Sequence, residues 1–249
     1  MTINENIAIW GSYDWLIQGE EWSADYGTSE AHWHWVMLPR LYSFLPTETI
    51  LEIAPGYGHW TKHLLLNCKH LIGVDLTRRC VEACKIRFPD QEFYQNDGLS
   101  LECVLNGSVD FCFSYDSLVH CDELVLASYL EQLSKKLKPT GSVFFHHSNA
   151  GSCNRERVTA SGTSRALDMT AEKFVAYCNC FGLACVAQEL IDWSMNGELT
   201  DCYSIVKVGP PTVPHVITNP CHLYSAGVTS KEAHARWTVL YEKSIGAIK

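Results

Sequence analysis

The segment Leu51-Glu52-Ile53-Ala54-Pro55-Gly56-Tyr57-Gly58 constrains the fold of this chain more than any other. An apolar run over residues 49–54 reads as a strand, and a helical pattern over 60–67 follows the glycines. Small residues at Ala54, Gly56 and Gly58 let the backbone turn tightly and come close to a ligand. Strand, glycine loop and helix in that order are the context of a nucleotide-binding turn. Ala54, Pro55, Gly56 and Gly58 are therefore candidate ligand contacts, with Glu52 at the strand end behind them.

The same rhythm continues downstream. Apolar runs at 70–75, 92–95, 109–114 and 142–146 alternate with helical patterns at 78–88 and 122–138, as in a mostly parallel sheet covered by helices. Thr77 is placed to cap the first of these helices and Pro89 to stop it. Acids open the 122–138 helix and lysines close it, in keeping with its dipole. A helix at 170–181 ends at Gly182, and strands at 183–193 and 201–208 pair to finish the core. The fold class expected is α/β, a doubly wound and mostly parallel seven-stranded sheet with an antiparallel terminal strand. Three units follow: residues 1–48, an N-terminal aromatic-rich helical lid with a helix near 28–44; residues 49–209, the ligand-binding domain; and residues 210–249, a helical extension. The last helix would start near Ser230, where Thr229-x-x-Glu232 fits a capping box.

Two further acids stand in register with the loop. Asp75 ends the second strand, 23 residues after Glu52, and Asp97 follows the third strand beside Gly98. Strand C-termini are where open α/β sheets bind ligands. A carboxylate at Asp75 can accept both hydroxyls of a ribose, and one at Asp97 an adenine amino group. Leu76 and Ser114, at the ends of the second and fourth strands, complete the candidate set. A nicotinamide-dependent oxidoreductase is the obvious rival, but its third glycine is replaced by Thr61. Glu52 would also sit badly beside a pyrophosphate. S-adenosylmethionine has no phosphate and carries a sulfonium and an ammonium, so an acid-lined pocket suits it. A non-catalytic S-adenosylmethionine-binding module is the second rival.

With these residues in place, the chain resembles the class I S-adenosylmethionine-dependent methyltransferases over about residues 50–208. Glu52-x-Ala54-x-Gly56-x-Gly58 is similar to the family's first motif, with alanine for its first glycine; Asp75 matches the ribose-binding acid, and Asp97-Gly98 the adenine-side pair. More narrowly, residues 51–60, 114–120 and 146–149 look like a bacterial methyltransferase group found with glycan biosynthesis. The resemblance implies S-adenosylmethionine as cofactor and a small-molecule or saccharide acceptor.

An alcohol acceptor usually needs a base as the new carbon–oxygen bond forms. Candidates follow the fourth and fifth strands: Asp116, His120, His146 and His147. Adjacent strand residues point to opposite faces, so one of the two neighbouring histidines is expected at the pocket and the other in the packing. Trp10, Trp15, Trp22, Trp33 and Trp35, with His32 and His34, either pack the N-terminal segment on the sheet or close over the acceptor. Arg155, Arg157 and Arg165 either clamp an acidic group on the acceptor or are ordinary surface arginines. Asp116, His146, Asp192 and Asp201 could be drawn into a metal site, but their spacing is not diagnostic and no metal is expected.

Charge narrows the partners. The formal charge of −9 includes no offsetting basic run, which disfavours nucleic acid. The N-terminus lacks a signal-peptide pattern and no apolar run is long enough to span a membrane, so a cytoplasmic enzyme is expected, with a homodimer left open. Cys80, Cys84, Cys112, Cys178 and Cys185 fall in apolar patterns and read as reduced, buried thiols. Asn106-Gly107-Ser108 reads as a turn.

Overall fold

The computed structural model describes residues 1–24, 27–162 and 164–219. Strands β1 (Thr47–Ile53), β2 (Cys68–Asp75), β3 (Glu92–Gln95), β4 (Val109–Ser114), β5 (Leu137–Ser148), β6 (Leu183–Ile191), β7 (Asp201–Val208) and β8 (His215–Asn219) form one sheet. Their order is β3-β2-β1-β4-β5-β7-β6-β8. β7 runs antiparallel to β5 and β6, and every other pairing is parallel.

Two expectations are corrected here. The sheet has eight strands rather than seven, and the antiparallel strand lies inside it, between β5 and β6. The added strand, β8, falls in the segment expected to be a helical extension. It pairs with β6 from His215 opposite Ala187 to Asn219 opposite Ile191. Four of its five residues are exposed, so backbone pairing holds it and no buried alternation marks it in the sequence. The helix expected from Ser230, with Thr229 and Glu232, lies outside the described residues.

Local rules place most helices. α1 (Ile3–Ser12), α2 (Thr28–His32), α3 (Leu38–Leu41), α4 (Thr61–Leu64), α5 (Arg78–Arg87), α6 (Glu123–Lys136), α7 (Arg155–Ala160) and α8 (Ala171–Cys180) are found in chain order. The side chains of Asp122 and Thr170 accept the backbone N–H groups of Val125 and Lys173, at 3.2 and 3.0 Å, and so cap α6 and α8. The continuous helix expected near 28–44 is interrupted by a π turn, Trp33–Met37, and ends in a 3-10 turn, Tyr42–Phe44. Pro39 lacks the N–H that would bond back to Trp35, which accounts for the break. Pro139-Thr140-Gly141 lies within β5 as an irregularity: Val109 pairs with Leu137, but Phe111 with Ser142.

Alternation along the strands splits the core between two faces. Leu51, Ile53, Cys112, Val143 and Phe145 pack with Leu126, Leu130 and Phe174 of α6 and α8. Ile50, Phe111, Phe113 and Phe144 pack on the other face with Trp33, Met37, Leu41 and Leu64. Residues of the π turn and α3 are thus core of the sheet, while α1, Trp15, Glu21, Ser23 and His32 line the cavity at the strand ends. All eleven cysteines among the described residues are free thiols, and Cys80, Cys84, Cys112, Cys178 and Cys185 are buried. No helix among the described residues is long and apolar enough to cross a membrane.

Candidate functional site

A cavity of about 540 Å³ opens at the C-terminal ends of β1, β2 and β4, within the range of roughly 300–1,000 Å³ usual for small-ligand sites. Ala54, Pro55, Gly56, Asp75, Leu76 and Gly98 line one end. Tyr115, Asp116, His120, Arg165 and Trp193 line the other, and Ile3, Trp10 and Trp15 lie across it.

The loop after β1 turns through left-handed backbone at Ala54 (φ 58°), Gly56 (φ 57°) and Gly58 (φ 78°). Ala54 is held there by its N–H, which donates to the Val74 carbonyl at 2.7 Å. A Cβ on Gly56 would stand 3.1 Å from the Trp15 ring, so glycine is what lets Trp15 lie on the loop. Trp15 also stacks on Tyr57, with ring centroids 4.9 Å apart. The Asp75 carboxylate braces the loop: it accepts the Gly56 N–H at 3.1 Å and the Thr77 N–H at 2.8 Å. Burial raises the pKa of Asp75, against the lowering effect of those bonds. At Gly98, a Cβ would meet Leu76 and Ile3 at 3.1 and 3.2 Å, so α1 closes directly on this end.

Four residues expected at the ligand stand elsewhere. Glu52 is buried beneath the loop and accepts the Thr61 hydroxyl at 2.6 Å. Burial pushes its pKa up to about 8, so it is largely protonated at neutral pH. Gly58 serves packing, since a Cβ there would stand 2.4 Å from the Phe88 ring. Asp97 is exposed and accepts the N–H groups of Leu99 and Ser100, at 2.9 and 2.7 Å, which makes it a turn cap. Ser114 is fully buried, away from the cavity lining.

The acceptor end brings together groups far apart in sequence. Asp116 has left-handed backbone (φ 53°), an uncommon and costly state for a residue other than glycine. Its carboxylate stands 3.6 Å from Arg165, and burial raises its pKa. His120 ends a short 3-10 turn, Leu118–His120, ahead of α6. Its Nδ1–H donates to the Ser164 carbonyl at 2.5 Å, leaving Nε2 as an acceptor. Burial lowers its pKa to about 4, so it is neutral at working pH. His146 is fully buried behind Asp116: Nδ1 accepts the Asp116 N–H at 3.1 Å and Nε2 donates to Asp201 at 2.8 Å. His147 points to the opposite face, stacked on Phe174 and hydrogen-bonded to Ser204 at 2.8 Å. Neither histidine lines the cavity, which corrects the expectation that one of the pair would.

Of the three candidate arginines only Arg165 enters the site; Arg155 and Arg157 are exposed. Arg165 donates from Nε to Asp201 at 3.0 Å and lies over the Trp193 ring at 4.9 Å. The four acids and histidines considered for a metal do not converge. Asp201 is taken by His146, Arg165 and Thr200, while Asp192 accepts the Asn196 and Gly197 N–H groups. Among the described residues no three metal-ligating side chains cluster.

Sequence reasoning did not single out one polar chain on the cavity wall. Ser23 Oγ lies 3.0 Å from His59 Nε2 and 3.3 Å from His32 Nδ1, His32 Nε2 lies 3.1 Å from the Tyr115 hydroxyl, and that hydroxyl lies 2.9 Å from Tyr203. His59 stands one residue past the glycine loop and His32 is among the N-terminal candidates; Ser23, Tyr115 and Tyr203 are joined to them by folding alone. Nearby, Trp15 Nε1, Glu21 Oε2 and His59 Nδ1 are buried without hydrogen-bond partners among the described residues.

Residues 50–141 match a family described as a methyltransferase domain. Class I methyltransferases use S-adenosylmethionine as methyl donor. The chain is 26% identical over 117 residues to phosphoethanolamine N-methyltransferase of Triticum aestivum, covering 44% of this chain and 23% of that protein. It is 42% identical over 48 residues to the mitochondrial ribosomal RNA small subunit methyltransferase of Arabidopsis thaliana, covering 19% and 13%. The matched stretches thus span less than a quarter of either curated relative. In structure, an S-adenosylmethionine-dependent methyltransferase from Mesorhizobium loti superposes with a TM-score of 0.55 at 14% identity, over 71% of this chain and 97% of that one. At that identity the likeness establishes the fold. The cavity suits a donor of that kind chemically. The carboxylates of Asp75 and Glu21 line it and fit a ligand with two cationic centres, and Trp15 Nε1 and His59 Nδ1 have hydrogen-bonding capacity not used among the described residues.

Proposed function

We propose that this chain methylates a hydroxyl of a small-molecule or saccharide acceptor, with S-adenosylmethionine as donor. The observation that carries this reading is one cavity in which the braced glycine loop and Asp75 face Asp116, His120 and Arg165. Bound donor supplies an electrophilic methyl; the protein's own residues do the remainder. Ala54, Pro55, Gly56, Asp75, Leu76 and Gly98 hold it, and α1 with Trp15 excludes water from above. Asp116 orients the acceptor hydroxyl and takes its proton. Burial makes Asp116 a stronger base than an ordinary aspartate, while Arg165 at 3.6 Å keeps its ionised form accessible. His120 presents Nε2 to a second hydroxyl. Trp60, Tyr115 and Trp193 give the apolar surface on which a sugar ring stacks.

On this reading residues 49–209 form the donor-binding domain and α1 with the loop to Trp15 its cover, while β8 is an edge addition from residues 210–249. The covered cavity and the −9 charge both favour a small acceptor over nucleic acid. The deciding experiment is calorimetry with S-adenosylhomocysteine and NADH, followed by isotope-labelled S-adenosylmethionine in native-host extracts. Homocysteine-nucleoside binding and a labelled methyl ether are expected. Tight NADH binding, or a labelled N-methyl product, would overturn the donor or the acceptor part respectively.

A further inference from the structure

We infer that the acceptor carries an oxyacid group, a carboxylate or phosphate, that docks on Arg165 beside the hydroxyl held by Asp116. This rests on the acceptor end proposed above and narrows its substrate class. Arg165 is 8% exposed and lines the cavity. A guanidinium has five N–H donors in a fixed fork, and Asp201 engages only its Nε edge at 3.0 Å. Nη2 is buried with no hydrogen-bond partner among the described residues. The Asp116 carboxylate stands 3.6 Å from it, beyond hydrogen-bond range. A buried charged donor without an acceptor is costly, and such atoms in a cavity mark where a ligand supplies the missing partner. Planar oxyacids match the guanidinium fork and form the strongest bonds with it.

The surroundings keep this arginine in place for that task. Its guanidinium rests on Trp193 at 4.9 Å, and Asp201 is itself locked by Thr200 at 2.6 Å and His146 at 2.8 Å. Asp201 therefore cannot swing round to cover Nη2. Asp116 and Arg165 thus present an acceptor and a donor side by side in one cavity wall. A substrate whose reacting hydroxyl lies near a carboxylate or phosphate satisfies both at once. This geometry also sets the direction of the substrate, acidic group toward Arg165 and hydroxyl toward the donor end.

The test uses the full chain saturated with S-adenosylhomocysteine, titrated in turn with inorganic phosphate, acetate and, as a neutral oxygen probe, glycerol. The Trp193 indole N–H signal, assigned by its loss in Trp193→Phe, reports occupancy. Saturable shifts with phosphate or acetate but not glycerol are expected, and the stronger of the two anions separates a phosphate ester from a carboxylate. Arg165→Lys keeps the charge but not the fork and should weaken anion binding about tenfold; Arg165→Gln should abolish it. S-adenosylhomocysteine affinity should hold in both variants. Equal response to glycerol, or anion binding retained in Arg165→Gln, would overturn the inference. If Arg165→Gln does not fold, the wild-type contrast of anion against glycerol still decides. Failure of the wild type to bind S-adenosylhomocysteine would overturn the methyltransferase reading as well, whereas binding without anion preference overturns this inference alone.

Discussion

The backbone N–H of Asp116 donates to Nδ1 of His146 at 3.1 Å, and this bond decides which of the two meets the cavity. Both ring nitrogens of His146 are spent, the second on Asp201 at 2.8 Å, so His146 has no face left for a substrate. Asp116 is turned through left-handed backbone instead, and its carboxylate lines the site. Strain of this kind costs about 1–3 kcal/mol and persists only where the surroundings over-determine it. Here His146 and Arg165 do so.

Asp116→Asn should reduce turnover by about 10²–10⁴-fold, the usual worth of a general base, with S-adenosylhomocysteine affinity unchanged. In the wild type, turnover should rise with pH through the Asp116 pKa, which burial places above the ordinary aspartate value. The variant should lose that limb. Single-turnover rates across pH check both; a variant with wild-type rate and profile would remove Asp116 from the chemistry.

The two neighbouring histidines should behave unlike a base. His147→Ala should lower stability by about 2–4 kcal/mol through the lost stack and hydrogen bond, while activity per folded molecule is kept. Denaturant titration alongside turnover separates the two effects. A large fall in turnover without loss of stability would place His147 in the mechanism.

Asp75→Ala should weaken S-adenosylhomocysteine binding by on the order of 10–100-fold, because it strips a ligand acceptor and unbraces Gly56 together. Asp97→Ala should cost much less, since Asp97 caps an exposed turn. Calorimetry on the pair is the check, and equal losses would contradict the different roles their positions give them.

Glu52 sets a pH dependence of stability. Its folded pKa of about 8 lies above the unfolded 4.5, so its contribution is full below pH 4.5 and is lost as pH rises to about 8. His120 and His147 act in the opposite sense. Burial holds both near 4 against 6.5 unfolded, so their contribution is lost as pH falls from 6.5 toward 4. From pH 6.5 to 8 the Glu52 effect stands without these histidines, with a slope of about −1.4 kcal/mol per pH unit. Thermal melts should show wild-type stability declining over that range and Glu52→Gln staying flatter. The same decline in both would mean that Glu52 is not the group responsible.

Trp15→Ala should uncover the glycine loop and weaken S-adenosylhomocysteine binding about tenfold or more, while the sheet stays folded. Calorimetry with far-ultraviolet circular dichroism tests this. Loss of the fold would show instead that Trp15 is part of the core.

The sequence by itself determined whatever rests on neighbours along the chain. The glycine loop after β1, the caps Asp122 and Thr170 and the acid closing β2 obey rules that reach only a few residues. The alternating apolar runs likewise marked seven of the strands. Folding decided the rest. β8 is held by backbone pairing to β6 with almost no burial, so no side-chain pattern could announce it. Asp97 and Glu52 have the right types at strand ends, yet a local turn consumes the first and Thr61 with deep burial the second. Arg165 was indistinguishable in sequence from Arg155 and Arg157. What separates it is Asp201, 36 residues away along the chain, which engages one edge of its guanidinium and leaves Nη2 without a hydrogen-bond partner among the described residues. Which charged side chain becomes a site depends on desolvation and partners brought from distant strands, and those exist only once the sheet has closed.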